Sequence, residues 1–281
     1  HNLVIATINK EYAGQGQKVM NAMWGAGQMM FNKILVLANG VGQNGIKIDD
    51  YGKLAKEVFD NLNPVTDIYF SQGPMDVLDH SCSKMGFGGK MCIDGTRKTE
   101  EEQTEELRPY KISGAFSAKQ IMADMPEVNG VNDVLMRQWE IPVLMVSMKK
   151  DRPGHVRDLH TRIAGAAGME GVKMVIYVEH TVDIHDIADV LWRFCNNLDP
   201  RRDNFYGGAQ QQILGLDGTR KTKRHDNFDR PWPNIIAADD ATIAKIDAKW
   251  SELGLGELLK SPSLKYKTQL YEGGATVLDS E

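Results

Sequence analysis

The sequence predicts an α/β protein built as two related layered α/β sandwich modules with mostly parallel sheets. Three observations predict it. Short apolar runs alternate with segments of helical spacing, the pattern of strands joined by crossover helices. The hexapeptide Asp94-Gly95-Thr96-Arg97-Lys98-Thr99 recurs letter for letter as Asp217-Gly218-Thr219-Arg220-Lys221-Thr222. Residues 2–40 also align without a gap to residues 142–180.

The elements follow in order. Residues 3–8 and 143–148 are apolar runs that predict strands. A glycine-containing turn leads each into helical spacing, over 16–29 and 155–167. Residues 34–37 and 174–178 predict second strands, entered from Lys33 and Lys173. Residues 51–61 and 184–197 carry apolar residues at spacings of three and four, the mark of an amphipathic helix. Asn63-Pro64 and Asp199-Pro200 end these helices, because proline biases the preceding residue away from helix. Strands alternating with helices imply parallel pairing through right-handed crossovers. Within the aligned stretch Lys10 matches Lys150, Gly14 matches Gly154, and Gly25-Ala26 matches Gly165-Ala166. Met29 with Met169 and Lys33 with Lys173 bring the identities to six, against about two expected from composition. Asn61-Leu62-Asn63-Pro64 with Asp67 then matches Asn197-Leu198-Asp199-Pro200 with Asp203. From there 29 residues separate Pro64 from Asp94, but only 16 separate Pro200 from Asp217, so the second copy lacks a loop. Arg108-Pro109 and Arg230-Pro231 close the copies, and each runs into a helical tail ending near Trp139 or Trp250. The expected modules are residues 1–134 and 135–281.

Composition bounds the function. At 281 residues, 42% hydrophobic and 25% charged, the chain has the material for a core and is not a disordered segment. A net charge of −5 argues against non-specific binding of nucleic acid, which needs a basic surface. Cys82, Cys92 and Cys195 form no C-x-x-C pair and no even framework, which suggests reduced thiols in a cytoplasmic setting. The longest apolar run, 141–148, is too short to span a bilayer. No charged-then-apolar stretch with a cleavage site is legible at the start, so the chain is not expected to carry a secretory signal. It begins at His1 with a strand already under way at Leu3, as expected of part of a longer protein whose active site lies elsewhere.

Few motifs suggest chemistry. Gly14-Gln15-Gly16 follows a strand and opens a helix, but Val19 stands where a dinucleotide fingerprint needs glycine, leaving a tight turn. Ile93-Asp94-Gly95-Thr96 resembles the first motif of aspartate-based phosphatases. The nucleophilic carboxylate that chemistry requires two residues earlier is replaced by Cys92, and by Gly215 in the second copy. Asp94 and Asp217 are therefore expected to fix turns through short side-chain bonds. Gly86-Phe87-Gly88-Gly89-Lys90 gathers flexible backbone N–H groups beside a positive charge, a combination suited to phosphate, although the P-loop spacing is absent. Its other reading is a flexible loop. Ile213 stands at the place of Lys90 in the second copy, so any such function belongs to the first. Glu179-His180 and His185-Asp186 straddle a loop and a helix start, where Asp183 is expected to cap the helix rather than a metal to bind. Glu100-Glu101-Glu102 with Glu105-Glu106 reads as a solvated face.

Taken together, the pattern resembles the C-terminal region of the UbiD family of decarboxylases. The carrying residues are Lys10-Glu11-Tyr12-Ala13-Gly14 with Lys18-Val19-Met20 and Trp24, then Lys33, Asn63-Pro64 with Asp67, and Asp76-Val77-Leu78-Asp79. Gly86-Phe87-Gly88-Gly89-Lys90-Met91 and Ile93-Asp94-Gly95-Thr96 complete one family domain over residues 2–109. The second module resembles a degenerate extra copy, and its tail from Arg230-Pro231 through Asp247 and Trp250 resembles the family's chain end. The resemblance implies an α/β domain that oligomerises and closes one side of an active site. It implies an enzyme that uses prenylated FMN and a divalent metal to remove CO₂ from aromatic or α,β-unsaturated acids, with links to ubiquinone or menaquinone biosynthesis. The family's catalytic arginine and glutamates and its metal ligands precede this region, so no catalytic and no metal-binding residue is assigned. Lys90 aligns with the family lysine that reaches the flavin phosphate, with Gly88 and Gly89 beside it. The implied partners are a second copy of the chain, an upstream flavin-binding domain and a small aromatic acid. No nucleic acid and no stable membrane insertion are expected. The methionines at 20, 23, 29 and 30 are compatible with self-association. The alternative is a self-contained binding or assembly protein without catalysis.

Overall fold

The helix after the first apolar run of each module is a crossover that returns the chain to the same end of its sheet, so the two strands it joins pair in parallel. In the first module β1 (Leu3–Ile8), α1 (Gln15–Gly25), β2 (Ile34–Asn39), α2 (Val41–Asn44) and α3 (Tyr51–Asp60) lead to a hairpin of β3 (Ile68–Pro74) and β4 (Phe87–Asp94). The sheet order is β1-β2-β4-β3, with β1, β2 and β4 parallel and β3 antiparallel to β4. The second sheet follows α4 (Ala118–Asp124). It contains β5 (Val128–Asn132), β6 (Val143–Met148), β7 (Met174–Glu179), β8 (Asn204–Gly207) and β9 (Ile213–Asp217), with α5 (Val134–Trp139), α6 (His155–Ala164) and α7 (Ile187–Asn197) between them. Its order is β5-β6-β7-β9-β8. From β6 onward, strand order and direction repeat those of the first sheet, down to the register: Ile34 opposes Met91 as Met174 opposes Leu214. The computed structural model describes residues 2–102, 110–209 and 212–278, so Arg108-Pro109 and Glu105-Glu106 lie outside the described residues.

Both sheets are covered on both faces. Along β2, Ile34 and Ala38 face a core shared with Val143, Met174, Ile176 and Leu216 of the second sheet, while Leu35 and Leu37 face Met20, Met23 and Trp24 on and beside α1. A strand buried on both faces reads as a continuous apolar run, as these do. Each such aliphatic side chain contributes about 1.5–3 kcal/mol by leaving water. The methionines of α1 thus help fill this small outer core.

Three local expectations are corrected. Helix α1 ends at Gly25 and yields to a 3₁₀ turn over Gly27–Phe31, because Gly27 adopts a positive φ of 49° that breaks α-helical geometry. Helix α7 starts at Ile187, and its cap is Asp186, not Asp183: the Asp186 carboxylate accepts from the N–H groups of Ala188 and Asp189. The glycine stretch before Lys90 is not a loop, since β4 begins at Phe87. Strand β5, which precedes residue 135, adds an antiparallel edge to the second sheet.

The chain divides into two compact units, His1–Phe228 and Asp229–Glu281. The first, which holds both sheets, closes with α8 (Lys223–Asp226). The second holds α9 (Asp240–Ala248), capped by Asp239 accepting from the Thr242 N–H, a 3₁₀ turn over Trp250–Leu253 and α10 (Ser263–Tyr266). Among the described residues no helix is long and apolar enough to cross a membrane.

Beneath the second sheet His160 is buried and neutral. Its Nε2–H donates to the Ile213 carbonyl at 3.0 Å, and its Nδ1 accepts from the Tyr177 hydroxyl at 2.9 Å. Burial lowers its pKa to about 4, the bond to Ile213 opposing the shift. The unfolded chain therefore binds more protons between pH 4 and 6.5, and stability falls as pH drops through that window. Chemical denaturation at pH 7 and pH 4 is expected to show about 3 kcal/mol of acid loss that disappears in His160→Gln.

Candidate functional site

A fully buried charge pair lies where the two sheets meet. Lys33, immediately before β2, is fully buried, as is Asp79 on the segment 75–86 between β3 and β4. Their Nζ and Oδ2 are 2.7 Å apart. The same ammonium donates to the Ser81 hydroxyl at 3.0 Å and, across the seam, to the Leu198 carbonyl at 3.0 Å. Burial alone would raise the Asp79 pKa, but the Lys33 charge, its hydrogen bond and those from Ser81 outweigh it and leave the group below the usual carboxylate range. Arg202 ties the segment down by donating to the Ser81 carbonyl at 2.8 Å. Lys173, which matches Lys33 in sequence, reaches the other way and donates to the Phe59 carbonyl on α3. Each module's lysine thus grips the C-terminal end of the other's helix, where the last carbonyls lack the regular intrahelical donor.

Lys90 lies beside this pair. It is 2% exposed, and its ammonium donates to the carbonyls of Met30 at 2.6 Å and Asn32 at 2.8 Å, with the Met75 sulfur at 3.5 Å. Burial lowers its pKa to about 8. A side chain at Gly88 would collide with Cys82, and one at Gly89 with Asp199 and the Arg201 backbone. The two glycines are therefore required by close packing. Lys90, Gly88 and Gly89 do not form an open phosphate cradle in this arrangement, because the segment 75–86 and the turn after α7 occupy the space around them. A role for them toward a flavin phosphate requires that cover to move.

The repeated hexapeptide closes the C-terminal ends of the parallel strands. Asp94 Oδ1 accepts from the Thr96 N–H at 3.1 Å and its hydroxyl at 2.5 Å, and Asp217 does the same with Thr219 at 2.9 and 2.5 Å. These are the expected turn-fixing bonds. Lys10 donates to the Thr96 hydroxyl at 3.2 Å and pairs with Glu102 at 2.6 Å. Lys150 donates to the Thr219 hydroxyl at 3.3 Å and pairs with Asp226 at 2.7 Å. Glu102 is thus no solvated charge: it also accepts from the Gly14 N–H at 2.8 Å. Burial raises its pKa, but the bonds from Lys10, Gly14 and Thr99 prevail and bring it down to about 2. Gly16 is glycine because a side chain there would enter the Asp94 carboxylate. A small cavity of about 150 Å³ in the second copy is lined by Lys150, Arg202, Asp203, Asp217, Lys221 and Asp226, charges that already pair with one another. Glu179 is likewise engaged, accepting from Arg193 at 3.1 Å and from the Arg220 N–H at 2.9 Å. Among the described residues no group of three or more His, Cys, Asp or Glu side chains could hold a metal ion.

Residues 1–95 and 112–219 match the family described as the 3-octaprenyl-4-hydroxybenzoate carboxy-lyase C-terminal domain. The chain belongs to that family. The UbiD C-terminal match covers both sheets. An uncharacterized protein of Helicobacter pylori is 30% identical over 255 residues, covering 89% of this chain and 38% of that protein. An uncharacterized protein of Aquifex aeolicus is 39% identical over 102 residues, 36% of this chain and 20% of that protein. The chain therefore spans well under half the length of these relatives. Among solved structures, vanillic acid decarboxylase of Sedimentibacter hydroxybenzoicus in its closed form is similar at a TM-score of 0.37 and 21% identity, over 48% of this chain and 30% of that one. The UbiD-class enzyme HmfF of Pelotomaculum thermopropionicum, an evolved dimeric form with prFMN, is similar at a TM-score of 0.32 and 20% identity, over 44% and 26%.

Sequence reasoning singled out Lys90 and its glycines and the turn-forming aspartates, but not the roles of Lys10, Lys33, Lys150 and Lys173. All four lysines were visible as matches between the copies, and that was their signal. The Lys90 environment gives a pH test. Its charge is disfavoured in the folded state between about pH 8 and 10.5, so the unfolded chain binds more protons there and the lysine's contribution to stability rises with pH. Denaturation of wild type and Lys90→Met at pH 7 and pH 10 is expected to show wild type gaining relative to the variant at the higher pH.

Proposed function

We propose that this UbiD C-terminal chain is the oligomerising and active-site-closing part of a UbiD-type decarboxylase that acts on an aromatic or α,β-unsaturated carboxylic acid. The observation that carries this reading is the family match over residues 1–95 and 112–219. The geometry supports it: Lys10, Lys33, Lys150 and Arg193 are each engaged in an internal ion pair, the condition of a scaffold rather than of a reaction centre. We further propose that the chain is a tandem of two such modules, 1–134 and 135–281. The matching strand order and register support the tandem, with β5 already pairing in the second sheet.

In the whole enzyme, prenylated FMN would supply the carbon chemistry, with a divalent metal bound by the part that precedes this chain. The residues here would supply a rigid wall, a contact for the upstream flavin-binding domain and a surface for a second copy. The proposed setting is the cytoplasm, with neither nucleic acid nor membrane as partner. Lys90 on β4, with Gly88 and Gly89, is proposed as the contact toward the flavin phosphate, made when the segment 75–86 yields to the incoming domain.

Two expected outcomes test this reading. Joined to the remainder of its full-length protein and supplied with prenylated FMN, the chain is expected to support CO₂ release from such an acid, measured as evolved CO₂, whereas the chain alone does not. If the rejoined protein is inert, the alternative of a two-module binding or assembly protein takes its place. In the same full-length protein Lys90→Ala is expected to lower flavin retention after dialysis about ten- to hundred-fold, the worth of one charge-assisted contact. Unchanged flavin content would confine Lys90 to packing.

A further inference from the structure

The seam between the sheets is nearly symmetric, and an asymmetry in it marks a site. Lys33 and Lys173 occupy the same position, the residue before the second parallel strand of each sheet, and both donate to a carbonyl at the end of the facing helix. Around Lys33 the segment 75–86 brings in the Asp79 carboxylate at 2.7 Å. In the second module β8 ends at Gly207 and β9 begins at Ile213, so the equivalent connection is too short to supply such a segment.

At that place lies a cavity of about 450 Å³ whose lining includes Leu62, Asn63, Pro64, Met169, Lys173 and Ile213. Its walls correspond to residues that hold the segment in the first module. Leu62 matches Leu198, whose carbonyl accepts the Ser81 hydroxyl at 3.0 Å. Ile213 matches Lys90, which touches Met75. Lys173 forms no ion pair among the described residues; its ammonium donates to the Phe59 carbonyl.

We propose that this cavity binds a small organic carboxylate, whose anionic end sits opposite Lys173 as Asp79 sits opposite Lys33 and whose apolar body packs on Leu62, Pro64, Met169 and Ile213. The lining also carries Asn63, Gln212 and the exposed Glu170, and Lys173 is the one cation among its described residues; a partly desolvated cation gains most from a directly bonded anion. Burial lowers the Lys173 pKa to about 8, with Asp60 and Asp67 opposing and Lys56 adding to the shift, so the lysine is largely charged at pH 7. The inference does not rest on decarboxylation and concerns the second module alone.

The test uses the intact chain with ¹³C-labelled lysine, titrated with sodium benzoate at constant ionic strength and pH 7. The Lys173 signal is identified by its absence in Lys173→Met. It is expected to shift saturably, with half-saturation on the order of 1 mM for one charged contact plus a small apolar body. Benzyl alcohol, the uncharged analogue, is expected to bind at least about tenfold more weakly. Saturating benzoate is expected to raise the pKa of Lys173, read from the same signal, because an anion favours the charged form. These readouts come from the wild-type protein and do not depend on a variant's folding. No saturable shift at about ten times the expected half-saturation, or an equal response to benzyl alcohol, overturns the proposal.

Discussion

The first unit depends on how one buried ammonium is neutralised. Lys33 has no exposure to water, and an unpaired charge in such a place costs several kcal/mol. The cost is offset only where Asp79, Ser81 and the Leu198 carbonyl converge on one nitrogen. Those groups come from the start of β2, the β3–β4 connection and the end of α7. A single charge therefore fixes a strand, a loop and the neighbouring module's helix relative to one another. Removing Asp79 alone would leave that charge uncompensated, which is the costly way to disrupt such a pair. The shared apolar core supplies bulk stability there, and the lysine contacts specify which helix end meets which strand.

The repeated hexapeptide solves a different problem. A parallel sheet gathers its strand ends at one edge, and the polar backbone there needs partners. Asp94 and Asp217 take up the N–H and hydroxyl of the threonine two residues on, and Lys98 and Lys221 return to the carbonyl of the same aspartate at 2.8 and 2.9 Å. Lys10 and Lys150 then tie the first strand's exit to that turn. The compensating acid differs: Glu102 follows the hexapeptide of the first copy, whereas Asp226 sits on α8 in the second. Identity within the hexapeptide, with divergence in the acid that answers it, is the pattern of a structural clasp whose geometry is fixed locally and whose charge balance is met wherever the chain allows.

Much of this was legible in the sequence because it is local. Strand β1 and strand β6 fall on the residues the apolar runs mark, and α3 starts at Tyr51 as expected. The turn-fixing role of Asp94 and Asp217 could be read from a spacing of two residues. What could not be read depends on residues far apart in the chain. Lys90 looked like a loop lysine because glycines surround it, yet those glycines serve close approach in a strand, against Cys82 and Asp199. Glu102 looked solvated within an acidic run, and only the fold brings Lys10 and the Gly14 N–H to it. The matched lysines 33 and 173 carried the needed signal, but a repeat shows that a position matters without showing what it touches.

The difference between the modules is a coordinated one. In the first, two ammonium groups, Lys33 and Lys90, share the neighbourhood of one carboxylate, Asp79. In the second, Ile213 replaces one lysine, the segment bearing the acid is absent, and Lys173 stays. Each site therefore keeps one lysine that forms no ion pair among the described residues. Loss of the acidic segment alone would have left two lysines facing each other in a low-dielectric interior, where like charges repel strongly. Replacing a lysine by isoleucine together with the loss of the segment avoids that repulsion and turns the surface apolar. Burial lowers the pKa of both Lys90 and Lys173 to about 8, although Lys90 is fully buried and Lys173 only partly so. The first module closes over its excess charge with its own segment; the second leaves its charge at the wall of a cavity.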